Sequence, residues 1–274
     1  MHVIMRVVRA VIGHLRGRDL PLHAAAITFY GGIAVVPAAV LAIRLAALLA
    51  GPERFLELTA GPVDAVPSTL GADRAARALV HAGVRLSLVQ AVAALVPATL
   101  YGEGLRRAFT SFAESAHVRS SGPVRAWRGR ILILPVLAAG PGLLLALLLV
   151  LPFAANLLRK GGWASVGGVI VSFLIVWIVL SVLLTVVYRL VGPVAPAWWA
   201  SAAAATITGA NLSGFAHGFV LFWAIPVDLG IPFGGFEPVG AVVAIGLWLY
   251  LLHTLALVGY VTALMVGRLG PPVE

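Results

Sequence analysis

An all-α, polytopic membrane protein is predicted by three features of this sequence. Hydrophobic residues make up 61% against 11% charged, six apolar stretches are each long enough to cross a bilayer, and arginines gather mainly between those stretches. A helix rises about 1.5 Å per residue, so about 20 apolar residues cover roughly 30 Å of hydrocarbon. A chain this apolar is neither a water-soluble globule nor disordered.

The first span is expected over residues 20–49 and the second over 79–101, the latter with an unsettled start near His81 and Arg85. Residues 131–155 and 166–187 follow without a formal charge. The fifth stretch, 196–223, is diluted by Ala, Ser, Thr and Gly, yet holds no Asp, Glu, Lys or Arg and is flanked by Trp198, Trp199 and Trp223, as interfacial anchors would be. The sixth, 238–266, exceeds the bilayer thickness and is expected to tilt. Ahead of them, Val3, Ile4, Val7, Val8, Val11, Ile12 and Leu15 recur at helical spacing with Arg6, Arg9 and Arg16 elsewhere on the wheel. That pattern describes an amphipathic interfacial helix over 1–18. The chain is expected to be one integral membrane domain over 1–274. Arginines throughout the first 20 residues argue against a cleavable signal peptide.

Orientation follows from the basic residues. Arg6, Arg9, Arg16 and Arg18, the arginines between Arg106 and Arg130, and Arg189 and Arg268 fall on the side of the N-terminus. The other side balances its arginines with Glu53, Glu57, Asp64 and Asp73. The positive-inside bias places both termini in the cytoplasm. The net charge of +9 follows from this asymmetry and calls for no nucleic-acid partner. The absence of Cys removes disulfides, thiolate metal sites and cysteine nucleophiles.

The stretch from Ile27 through Phe29, Tyr30, Gly31 and Gly32 to Pro37 resembles the aromatic-rich opening of the YihY/virulence factor BrkB family of bacterial inner-membrane proteins. Phe236-Glu237-Pro238-Val239-Gly240-Ala241, then Trp248-Leu249-Tyr250 and Gly259, is similar to that family's most recognisable segment, and Tyr188-Arg189 before Pro193 to a further step of it. The chain departs from the family pattern at Ala34, near Thr110 and at Gly259-Tyr260-Val261, where the family has Gly-Ala-Glu, so that Glu's role is not carried over. The resemblance implies a transporter-like architecture linked to envelope properties, under an old ribonuclease label. Chemistry speaks against that label: metal-assisted phosphodiester cleavage needs clustered carboxylate or His ligands, and the ten acidic residues here are scattered. No cofactor, metal or catalytic residue is expected.

Polar side chains inside the spans are the candidates for function, because an ionisable group at the bilayer centre costs about 2.5–3.5 kcal/mol on insertion scales. Tyr250, His253 and Tyr260 share one face of the sixth span. Thr208 and Asn211 lie along one side of the fifth, Ser213 and His217 along another, and Gly214 and Gly218 form a Gly-x-x-x-Gly pattern. Tyr30, with His23 and Thr28, completes the candidate cavity lining. His253 reads either as a group that binds anions or relays protons, or as a neutral histidine bonded to a neighbouring helix. Between the second and third spans, Leu105, Phe109 and Phe112 make an apolar stripe beside Arg106 and Arg107, as if lying on the membrane. With Arg125, Arg128 and Arg130 these arginines read as contacts to anionic lipid or a phosphorylated cargo, or as plain topogenic charge.

The expectation is a transporter or flippase-like protein that moves an anionic or amphipathic solute or lipid without converting it. Membrane lipids, the cargo and a second copy of the chain are its expected partners. A non-transporting scaffold for envelope processes is the alternative. An intramembrane enzyme is a third class, for which no Gly-x-Ser-x-Gly elbow or His-carboxylate pair provides.

Overall fold

The structure, a computed structural model, describes residues 2–64, 72–113, 123–141, 162–223 and 229–270. Among these the chain is all-helical, without a strand. The helices are α1 His2–Leu15, α2 Leu20–Ala50, α3 Pro52–Asp64, α4 Ala72–Val84, α5 Leu88–Ser111, α6 Pro123–Leu132, α7 Gly162–Leu190, α8 Trp198–Trp223 and α9 Glu237–Leu269, with a 3-10 turn at Ile231–Phe233 before the last. Residues 134–141 are also helical. The rest of the expected third span, and residues 224–228 after α8, lie outside the described residues.

Four of the described helices are long and apolar enough to cross a membrane: α2, α5, the Val166–Leu190 part of α7, and α9. α8 has the length, but its Ala, Gly, Ser, Thr and Asn residues lower its hydropathy. The most apolar 18-residue window of α7 has no buried residue. Val169, Ile170, Leu174, Ile178 and Val182 are among its exposed side chains. An apolar surface this continuous has no place in water, and the chain is a membrane protein.

The coordinates divide into two compact units. One takes in residues 32–100 and 134–173. Within it α2 ends at Ala50 and α3 begins with Pro52; the single linking residue, Gly51, has φ 87°, which favours glycine. Phe55 of α3 is thereby packed on Ile43, Ala46 and Ala47 of α2, with Leu79, Val80 and Val84 of α4 closing the cluster. Arg44 donates to the Val84 carbonyl at 2.6 Å, satisfying one of the acceptors at the end of α4.

The expected span over 79–101 is divided. α4 stops at Val84 and α5 starts at Leu88. The cause is a reciprocal cap: Ser87 Oγ accepts from the Gln90 amide at 3.3 Å, and Gln90 Oε1 accepts from the Ser87 amide at 3.0 Å. The break falls at Arg85, one of the two residues that leave the start of the expected span unsettled, and the cap sets that start at Leu88.

The other unit takes in residues 1–31, 101–133 and 174–274. α9 is its axis and packs against α8 and α1. Phe109, Tyr188, Leu257, Tyr260 and Val261 are fully buried around it. α5 and α6 cross through Gly102 and Gly129. A Cβ on Gly129 would stand 2.7 Å from the Gly102 carbonyl carbon and 2.9 Å from Arg106 Cβ, so side chains are excluded on both faces. The stripe of Leu105, Phe109 and Phe112, expected at the membrane surface, is core: the helix continues to Ser111 and all three side chains are buried. A 3.6-residue apolar period fixes which side is greasy and does not say whether lipid or protein covers it.

Two outcomes are expected. Ser87→Ala removes the cap, costs about 1 kcal/mol, and raises amide exchange over the first turn of α5 relative to α9. In the α3–α4 hairpin, Arg77 bridges Asp64 at 2.7 Å and Asp73 at 2.8 Å. The Arg77 hydrogen bond, then the Arg74 backbone, holds the Asp73 carboxyl below its ordinary range. This contribution is present at neutral pH and is lost as acid protonates Asp73. Protection factors in the hairpin, amide exchange divided by its intrinsic rate at each pH, therefore fall on acidification, and Asp73→Asn shows the lower protection already at neutral pH.

Candidate functional site

The 191–197 connection between α7 and α8 contains Gly192, Pro193 and Pro196, so its carbonyls cannot all find helical partners. Arg106 of α5 donates to the Val191 carbonyl at 2.8 Å and more weakly to that of Gly192 at 3.4 Å. The Tyr260 hydroxyl donates to the Val194 carbonyl at 2.9 Å. Arg189 donates to the Pro196 carbonyl while its guanidinium lies 4.0 Å over the Trp198 ring. Tyr260 also stacks on Phe109 with centroids 4.2 Å apart, and the Tyr188 hydroxyl donates to the Ala256 carbonyl at 3.0 Å. The hydroxyls of Tyr188 and Thr208 both press against Gly259, where a side chain would collide with them. Thr208 and Tyr260 are therefore parts of a packed polar core, not the walls of an open cavity.

His253 is buried and held from both sides. The Thr28 hydroxyl donates to the Ala24 carbonyl at 2.8 Å, so toward His253 Nδ1, 3.0 Å away, it acts as acceptor. That puts the proton on Nδ1 and leaves Nε2 to accept from the Tyr101 hydroxyl at 3.0 Å. Both ring nitrogens of a neutral imidazole are satisfied. Tyr101 carries no sequence signal of this role, since its partner lies 152 residues away. Tyr250 and Tyr30 are half-buried, and Tyr30 packs against Gly104, where a Cβ would stand 2.6 Å from the ring.

A buried carboxylate escaped the sequence reading. Glu103 receives Arg107 at 2.6 Å through one oxygen and Arg130 at 2.6 Å through the other, joining α5 to α6. The Glu103–Arg107 spacing of four was the available signal. Of the five arginines expected to meet phosphate, Arg106, Arg107 and Arg130 are thus engaged within the protein. Arg128 is exposed, and the side chain of Arg125 lies outside the described residues.

What remains open is a groove of about 500 Å³ lined by Ala210, Asn211, Gly214, Phe215 and Gly218 of α8 and by Trp248 of α9. Small residues at 210, 214 and 218 form its floor. Trp248 is its wall, set edge-on against Phe215 and Phe219 at 5.8 and 5.2 Å. Asn211 is exposed there, its Nδ2 donating to the Ile207 carbonyl at 2.8 Å. Ser213, fully buried, and His217, whose Nδ1 donates to the Ser213 carbonyl at 2.8 Å, do not line this groove. Among the described residues no three His, Asp or Glu side chains come together as a metal site would require.

The family model described as Virulence factor BrkB matches residues 11–270. Neither a curated protein nor a solved structure matches the chain.

His253→Leu is expected to cost about 1–2 kcal/mol, the scale of two interhelical hydrogen bonds in a membrane. Tyr101→Phe should cost about half of that. Thermal unfolding of the two single variants and the double variant in detergent checks this. If the pair is coupled, the double variant loses less than the sum of the singles.

Proposed function

We propose, for a chain that belongs to the Virulence factor BrkB family, that it moves an amphipathic or anionic solute or lipid across the bacterial inner membrane without converting it. The groove between α8 and α9 supports the reading. It is apolar along its length, open at the side, and carries one exposed amide, Asn211, near the middle of α8. An acyl chain or other apolar body lies along the flat strip at 210, 214 and 218 against the Trp248 wall. The polar part of the same molecule meets Asn211, whose amide serves both donors and acceptors. A group that would otherwise be costly in hydrocarbon thus becomes a way station for cargo.

In this reading α8 and the segment containing residues 134–141 also cross the membrane, giving six spans with both termini in the cytoplasm. The arginine distribution supports that orientation. His253 belongs to the framework that holds α9, because its ring is satisfied by Thr28 and Tyr101. No bond of the cargo is made or broken, and no residue is assigned to catalysis.

Reconstitution into liposomes tests this by following fluorescent-lipid scrambling and anion flux under a pH gradient and a membrane potential. Asn211→Leu should lower the rate about tenfold, the scale of one hydrogen bond to the moving cargo, and Gly214→Leu should block it by filling the strip. Arg54→Gln, at an exposed arginine of α3, should leave it unchanged. Equal rates in all variants would remove the groove from the path. No movement of any probe by the folded wild type would favour a scaffold instead.

A further inference from the structure

The arginines of α1 differ from the others. Arg6 and Arg9, with Arg16 in the turn that follows the helix, are exposed and make no side-chain hydrogen bond or ion pair among the described residues, whereas Arg106, Arg107 and Arg130 are held internally. Viewed down α1 the side chains fall into three sectors. Val7, Val11 and His14 face the protein, the last two being buried. Ile4, Val8 and Ile12 form a second, exposed stripe with relative exposures of 71%, 44% and 50%. The free guanidiniums make the third, next to that stripe.

The helix is not free to turn and hide its apolar stripe. His14 Nε2 lies 2.7 Å from the Phe112 carbonyl, and Arg18 donates to the same oxygen at 3.0 Å, so the C-terminal end of α1 is pinned where α5 ends. α1 itself contains no acidic residue. A second copy docked by the same face would set these arginines against their own counterparts, whereas an anionic surface is complementary to them.

We propose that this face of α1 is the protein's docking surface for anionic phospholipid. Ile4, Val8 and Ile12 enter the boundary between headgroups and acyl chains while Arg6, Arg9 and Arg16 take the phosphates of the same leaflet. The assignment moves the lipid-phosphate contacts away from Arg106, Arg107 and Arg130, and it is independent of whether or what the protein transports.

The chain has no Cys, so Val8→Cys gives a single labelling site for an environment-sensitive fluorophore in the full-length protein. The labelled protein is placed in vesicles of phosphatidylcholine alone or mixed with phosphatidylglycerol, with a quencher attached to the acyl chains. Quenching is expected to rise with the anionic fraction and fall with added salt. Each Arg→Gln at positions 6, 9 and 16 should reduce the docked-to-undocked ratio about fivefold, and Arg54→Gln, at an exposed arginine of α3, should not change it. Equal quenching in neutral and anionic vesicles, unaffected by the Gln variants, would reduce the contact to apolar burial and overturn the proposal. A label unquenched in both vesicle types would overturn it as well, by showing that water or another protein covers the face.

Discussion

Backbone carbonyls with no helical partner, in a chain whose surroundings are largely apolar, are the constraint around which this structure is arranged. Exposed, the 191–197 connection could leave its acceptors to water; with Val191, Gly192 and Pro196 buried, each unsatisfied one costs about 1–3 kcal/mol. Two prolines, Pro193 and Pro196, keep this stretch from closing its own hydrogen bonds as a helix would. The donors come from Arg106 on α5, Arg189 on α7 and Tyr260 on α9. Three helices are thereby fixed to one short loop. Tyr260 can reach Val194 only because it stacks on Phe109, and Tyr188 fits beside it only because position 259 has no side chain. Replacing any of these residues therefore disturbs the polar satisfaction of the loop as well as the packing.

The same logic sorts the charged residues. A count of arginines by loop treats them alike, which suffices for orientation because insertion responds to charge near span ends. Structure separates them by what they face. Arg44 and Arg106 are donors to carbonyls, Arg107 and Arg130 neutralise one buried carboxylate, and Arg6, Arg9 and Arg16 face outward. Burial of Glu103 is sustainable because each of its oxygens has a guanidinium; loss of one partner leaves one oxygen without its donor, and only loss of both leaves an uncompensated charge.

Helix class and most helix positions were legible in the sequence because hydropathy and the absence of strand alternation are local signals. The break at residues 85–87 was legible only as an unsettled start near His81 and Arg85, since the Ser-x-x-Gln cap that places it leaves no mark in hydropathy. The C-terminal half of α5 differs from expectation for a related reason: Leu105, Phe109 and, just past the helix, Phe112 make the same periodic stripe whether lipid or protein covers it, and here it is protein. For the site, the sequence singled out His253 and Asn211 as polar groups in apolar segments. It could not supply Tyr101, nor show that Thr28 meets His253, because partners 152 and 225 residues distant leave no mark on local spacing.

Among polar residues within apolar helices, satisfaction separates structure from function more sharply than residue type does. His253 has the more versatile chemistry, yet its two nitrogens are occupied by Tyr101 and Thr28, so any ligand reaching it must first displace a bond that joins helices. Asn211 has the plainer side chain. One of its amide protons is used within its own turn and the group is exposed beside an apolar strip, so an approaching molecule displaces no interhelical contact to reach it. A cargo that must bind and leave repeatedly is better served by the second arrangement, because each passage then leaves the helix packing intact. On these grounds the proposed cargo path runs past Asn211, which the fold leaves available, and not past His253, which interhelical bonds already occupy.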